Sequence, residues 1–237
     1  MDFPVASYDT REDAIGAALR FAVASIGGAI EARGRAHFMT SGGSTPGPLL
    51  DQLAGHDRFD WSRVSVGLVD ERWVPLDHDF SNEALVRARL LRGAAGAAGL
   101  IPMKTPDASP FGAVADRNAA YAPHCSPPDF ILLGMGGDGH TASWFPRSKG
   151  LEAALSPQNG EVVAAIDATG CPGAGANVHR LTLTGPAVTS ARAALLLVFG
   201  EDKLDVLEHA QTADPLDMPV RHAIDGLGDR LLIVWAS

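Results

Sequence analysis

Residues 130–146, FILLGMGGDGHTASWFP, decide how the chain is read. Phe130 to Leu133 run without a polar break into a turn holding Gly134, Gly136, Gly137 and Gly139. Asp138 and His140 stand inside that turn, and the stretch beyond it is predicted to turn helical. A short apolar run closed by glycine suits a strand buried on both faces, the kind found in parallel sheets. VSVGLVDE, ALLLVFG and RLLIVWA carry the same signature, without sustained polar alternation. RAHFMTSGG, EVVAAIDA and NVHRLTLTG add further strands. Between these runs the spacing changes to helical. YDTREDAIGAALRFAVASIGGAIEARG repeats Ile15, Leu19, Ala22, Val23 and Ile26 on one face, with Asp9 or Thr10 to cap it and Gly34 near its end. GPLLDQLAG, NEALVRARLL, FGAVADRNAAYAP and EDKLDVLEHAQ are shorter helices. Strands and helices in this succession predict one α/β domain over residues 1–237, a mostly parallel sheet covered by helices on both faces.

Composition narrows the function. With 46% hydrophobic residues the 237-residue chain can bury a sizeable core. Lys+Arg 19 against Asp+Glu 28 gives a net charge of -9, which argues against nonspecific nucleic-acid binding but leaves room for a locally positive pocket. Cys125 and Cys171 make neither a disulfide framework nor a four-ligand zinc site. No stretch is read as long enough for a membrane span, and MDFPVASYDT does not read as a secretory signal. The expectation is a cytoplasmic protein with no nucleic-acid or membrane partner.

Two glycine turns compete for the chemistry. In TSGGSTPGPLL, Gly42 and Gly43 can take backbone angles other residues avoid, and Ser44 and Thr45 add hydroxyls. Thr45 then Pro46 reads as N-cap and first helical position, so free helix N–H groups would face the turn and suit a phosphate. An ordinary capped turn is the plainer reading. The GKS or GKT ending of an ATP loop is missing. Gly134, Gly136 and Gly139 spell GxGxxG, but a dinucleotide turn should follow the first strand and open an unbroken helix; Pro146 shortens any helix here, and Asp167 lies too far on for a ribose-binding acid.

His140 has more chemical promise. A neutral imidazole can take a proton from water, and Asp138 can orient it or cap the following helix. Asp70, Glu71 and Arg72 fall at the carboxyl end of another strand, where open α/β sheets place ligands; Arg72 can hold an anion or pair with a neighbouring carboxylate. Asn82 can hold sugar hydroxyls or cap the helix beginning near Glu83. Arg180 and Lys203 are the remaining anion candidates, while strand alternation sends His179 away from Arg180. Asp70, His78 and His140 have no metal-specific spacing, so no metal is expected.

TSGGSTPGPLL, VDERWVPLDHDFSNEALVR, ILLGMGGDGHTASWFP, HRLTLTGPAV and FGEDKLDVL, in that order, resemble the 6-phosphogluconolactonase family. The resemblance implies a Rossmann-like fold related to the amino-sugar-phosphate deaminases. It also implies hydrolysis of 6-phospho-D-glucono-1,5-lactone to 6-phosphogluconate, a step of the oxidative pentose phosphate pathway. The catalytic histidine falls on His140, the phosphate turn on Gly42, Gly43, Ser44 and Thr45, and the active-site arginine on Arg72. Arg180 and Lys203 match positions that help hold the phosphate. The expected partner is a small-molecule sugar-phosphate lactone. No cofactor is implied, since NADP serves an upstream dehydrogenase, and monomer and small homo-oligomer both stay open. The family often has proline at Gly137 and leucine at Trp144. The deaminases continue from Gly-Asp-Gly-His toward a glutamate that TASWFP lacks, which makes deamination the lesser alternative, beside a noncatalytic sugar-phosphate sensor.

Overall fold

The computed structural model describes residues 3–237; the reading of the N-terminus also covers Met1 and Asp2, which lie outside the described residues. Strand β1 (Val5–Tyr8), absent from the sequence reading, precedes helix α1 (Arg11–Arg33) and takes Tyr8 out of it. Thr10 Oγ1 accepts from Asp13 N at 3.1 Å at one end of α1, and Gly34, at φ 74°, closes the other by donating to Ile30 O. Contrary to the sequence reading, α1 is long and apolar enough to cross a membrane by length and composition. In the fold it packs across the central sheet, with Ala14, Ala18, Ala22 and Ile26 buried.

That sheet has seven parallel strands in the order β1, β10 (Leu231–Ala236), β9 (Ala194–Phe199), β6 (Phe130–Leu133), β2 (Ala36–Thr40), β3 (Val64–Leu68) and β5 (Gly99–Ile101). Every residue of β2 and β6 is buried, so both faces are covered, as unbroken apolar runs require. Helix α1 packs on β1, β2, β6, β9 and β10 and α7 (Glu201–Ala210) on β9, and the chain also forms α2 (Gly47–Ala54), α3 (Asn82–Arg89), α4 (Pro110–Tyr121), α5 (Leu151–Leu155), α6 (Gly185–Thr189) and α8 (Val220–Leu227). From β2 the chain builds outward through β3 to β5; from β6 it builds the other way through β9 to β10. The order reverses between β2 and β6, and open α/β sheets bind ligands outside the carboxyl ends of such strands.

A second sheet was not foreseen. At Val69 the run VSVGLVDE leaves the parallel sheet, and β4 (Asp70–Arg72) pairs antiparallel with β8 (His179–Leu183), which pairs with β7 (Val163–Asp167). Val69 joins the two sheets by donating to Thr40 O and accepting from Leu183 N. The short β5 also escaped the sequence reading: its GLI carries too little pattern to separate from a loop.

Candidate active site

The carboxyl ends of β2 and β6 feed the two glycine turns, and Ser41 N donates to Leu132 O to hold them together. Between them and the second sheet lies a cavity of about 200 Å³, lined by the Ser41–Pro46 turn, Gly134–Gly136, Asp70, Arg72, Asn82, His140, Phe145, Gly173 and Arg180 among others.

The first turn differs from its sequence reading in two ways. Thr45 does not cap: α2 starts at Gly47 with Pro46 at its N-cap position and no side-chain cap. Residues 44–46 stay in the turn and the helix begins only after them. Only Gly43, at φ 102°, uses a left-handed angle. Gly42 is needed for space, since a Cβ would overlap the Asn82 side-chain amide. Gly42 to Thr45 all line the cavity, with Ser44 exposed.

The second turn is built around His140. Its Nδ1 lies 2.5 Å from Asp138 Oδ1, which also accepts from His140 N at 3.2 Å. The helix expected after His140 is not formed, so Asp138 caps nothing. Ala142 takes a left-handed φ of 53° and Trp144 N turns back onto Thr141 O. Gly136 N donates to His140 O, and a Cβ on Gly136 would strike both the His140 ring and Asp138. Phe145 lies under the imidazole at 4.4 Å between centroids. With Nδ1 held, Nε2 has no protein partner among the described residues. Burial opposes the Asp138 charge, but the hydrogen bond from His140 and its charge outweigh that and hold the carboxyl below its usual range. Trp144, where the family often has leucine, is fully buried and donates Nε1 to Leu183 O at 2.8 Å.

The second sheet supplies the polar wall. Arg72 and Arg180 are register partners on β4 and β8. Arg72 Nη1 donates to Phe80 O at 2.8 Å, and its buried Nε has no partner among the described residues. Glu71 is 1% exposed and accepts from the backbone amides of Arg72, Asn82 and Glu83, each at 2.8 Å. Burial pushes its pKa up to about 7 against the pull of those amides. Asn82 is not the cap of α3; Ser81 is, accepting from Ala84 N. Asn82 Nδ2 donates to Asp70 O at 2.8 Å, and Asp70 Oδ2 accepts from Ser143 Oγ at 2.6 Å. Burial also lowers Arg180 to about 10, with Asp70 pulling it back up and Arg72 adding to the fall, so it stays charged at neutral pH.

Lys203 stands apart from the other expected residues. It sits in the first turn of α7, beside the cavity rather than in its lining, with Nζ donating to Met135 O at 3.2 Å. His78 turns away, its Nδ1 accepting from Phe80 N, and His179 is exposed against Phe111. Among the described residues no three His, Cys, Asp or Glu side chains group as a metal site. Gly173 was missed as an individual residue. It lines the cavity, and a Cβ there would fall on the Asp138 carboxylate. GCPGAGANV marked a loop in the sequence, but nothing local said which site that loop lies against.

Fold and cavity together define an α/β enzyme with a glycine-rich turn facing a carboxylate-held histidine. A family profile described as glucosamine-6-phosphate isomerases/6-phosphogluconolactonase matches residues 9–232. The chain belongs to that family. A curated 6-phosphogluconolactonase of Xylella fastidiosa is 44% identical over 210 residues, 88% of this chain and 85% of that protein. One of Rhizobium meliloti is 38% identical over 214 residues, 90% of each. A crystal structure of a 6-phosphogluconolactonase from Shewanella baltica superimposes with a TM-score of 0.88 at 34% identity, covering 99% of this chain and 98% of that one.

Proposed function

We propose that the chain hydrolyses 6-phospho-D-glucono-1,5-lactone to 6-phospho-D-gluconate, with His140 as the base that activates water. The observation carrying the reading is the 2.5 Å Asp138–His140 contact in a cavity shared with the Gly42–Thr45 turn and Arg72. The turn takes the phosphate, with Lys203 at the rim as its cation. Asp138 keeps the proton of His140 on Nδ1, so Nε2 accepts one from water as the water oxygen bonds to the lactone carbonyl carbon. Arg72 faces the carbonyl oxygen as charge develops on it. The tetrahedral intermediate then collapses, the ring C–O bond breaks, and His140 returns its proton to the leaving oxygen. No covalent enzyme intermediate is formed: neither Ser41 nor Ser44 stands in a GxSxG elbow. The reaction belongs to the oxidative pentose phosphate pathway, and the protein works in the cytoplasm as a single catalytic domain.

Timed NMR of freshly made lactone tests this reading. The wild type should open the ring faster than spontaneous hydrolysis, and His140→Ala should not. A wild type no faster than buffer refutes the activity; a His140→Ala variant as fast as wild type refutes the base. Ammonia release from glucosamine 6-phosphate would instead favour the deaminase branch of the family.

A further inference from the structure

We infer that Arg180 is a positioning residue for the Asp138–His140 pair, clamping the 171–177 loop over Asp138 and backing the ring on which His140 lies, rather than the phosphate contact that family resemblance implies. Only the kinetic part of its test rests on the lactonase reading.

Separate contacts lead to this assignment. Arg180 is 5% exposed, and its guanidinium is committed to the loop: Nε donates to Asn177 O at 2.5 Å and Nη2 to Ala174 O at 3.0 Å. Its Cζ lies 5.2 Å from the centroid of Phe145, the ring that also carries the His140 imidazole. The clamped loop contains Gly173, where a Cβ would overlap Asp138 Oδ2 and come within 3.1 Å of His140 Nδ1. The loop backbone therefore rests on the Asp138–His140 hydrogen bond. The remaining guanidinium nitrogen, Nη1, stands 3.9 Å from Asp70 Oδ2, a carboxylate that repels an incoming phosphate. A planar fork that bridges two carbonyls and stacks on an aromatic ring is a task for arginine; an ammonium cannot do all of this at once. Lys203 Nζ gives one hydrogen bond to Met135 O and has further donors for an anion.

Arg180→Lys keeps a cation but loses the fork and the stack. Gly173→Ala presses on the same pair from the loop side and leaves Arg180 in place. In 15N-labelled protein without substrate, the His140 ring nitrogens, assigned by their loss in His140→Gln, report which nitrogen carries the proton. Titration with inorganic phosphate reports the anion site. In both variants the Nδ1 and Nε2 shifts should converge as the tautomers mix, while phosphate affinity stays at the wild-type level. On the phospholactone, kcat should fall about 10–100-fold with KM near wild type, the cost of a misplaced reacting group. Lys203→Gln should do the reverse, weakening phosphate and leaving the imidazole shifts alone. Unchanged imidazole shifts in Arg180→Lys together with lost phosphate affinity would overturn the assignment. A wild type that does not turn over the lactone refutes the functional reading, and the shift and phosphate measurements still decide the role of Arg180.

Discussion

Gly136→Ala puts the smallest side chain into the tightest part of the site. The new Cβ would lie 2.6 Å from Asp138 Oδ1 and closer still to His140 Cε1 and Nδ1, where ordinary contact begins at 3.4 Å. The imidazole must give way by roughly 1 Å, a displacement that can cost about 10² in rate. Phe145 blocks retreat on one side at 4.4 Å, and the Asp138 bond resists rotation. Gly136 has no left-handed φ, so alanine brings no backbone penalty there. Overpacking costs about 1–3 kcal/mol, and reduced freedom of the unfolded chain returns about 0.4–1 kcal/mol. The expected variant is folded, at most about 2–3 kcal/mol less stable by urea unfolding, yet at least about 100-fold slower in timed lactone hydrolysis. Wild-type turnover by a folded Gly136→Ala protein would show that the His140 position does not limit the reaction.

Asp138→Asn should slow turnover about 10²–10⁴-fold by releasing the wrong tautomer, read as kcat by NMR. The same variant tests linkage. The Asp138 carboxyl is held below its ordinary value of 3.8, so its ionised form stabilises the fold above that value and the contribution disappears as pH falls through the folded pKa. Acid unfolding of wild type should therefore steepen below about pH 4, and Asp138→Asn should lack that added loss. Lys203→Gln should raise KM for the phospholactone several-fold with kcat little changed, because uniform binding is what it removes. Ala142→Gly should raise stability by about 0.5–1 kcal/mol in urea unfolding, since a left-handed alanine costs about 1–2 kcal/mol and glycine gives part of that back as chain entropy.

The parallel sheet was legible because both-face burial writes itself into unbroken apolar runs such as FILL and ALLLVF. The same reasoning hid the second sheet. β8 is buried at every position after His179, so nothing in HRLTL distinguishes an antiparallel partner from another parallel strand. Asp138 and His140 were readable as a pair because a tight turn fixes neighbours at short range. Gly173 lies far from both in sequence, and only the loop between β7 and β8 brings it there. Thr45 failed as a cap because Thr45 and Pro46 stay in the turn and the helix begins only at Gly47. Asn82 was open between two roles in the sequence; Ser81 took the cap and left its amide facing Asp70.

The two sheets also divide the chemistry. The Ser41–Pro46 turn and the Gly134–His140 turn come off the parallel sheet at the point where strand order reverses, where open α/β sheets place their ligands. The antiparallel sheet and its loop add the facing wall: Asp70 and Arg72 from β4, Arg180 from β8, and Gly173 from the loop before it. The sheets meet through Val69, whose amide and carbonyl are each spent on a different sheet. Loosening that joint should therefore separate phosphate affinity from turnover, because it shifts Arg72 against His140. Val69→Ala does this by shrinking a fully buried side chain at the joint while keeping both of its backbone hydrogen bonds. Retained phosphate binding with lost hydrolysis is the expected result, and equal loss of both would mean that the turn and the second sheet form one cooperative unit.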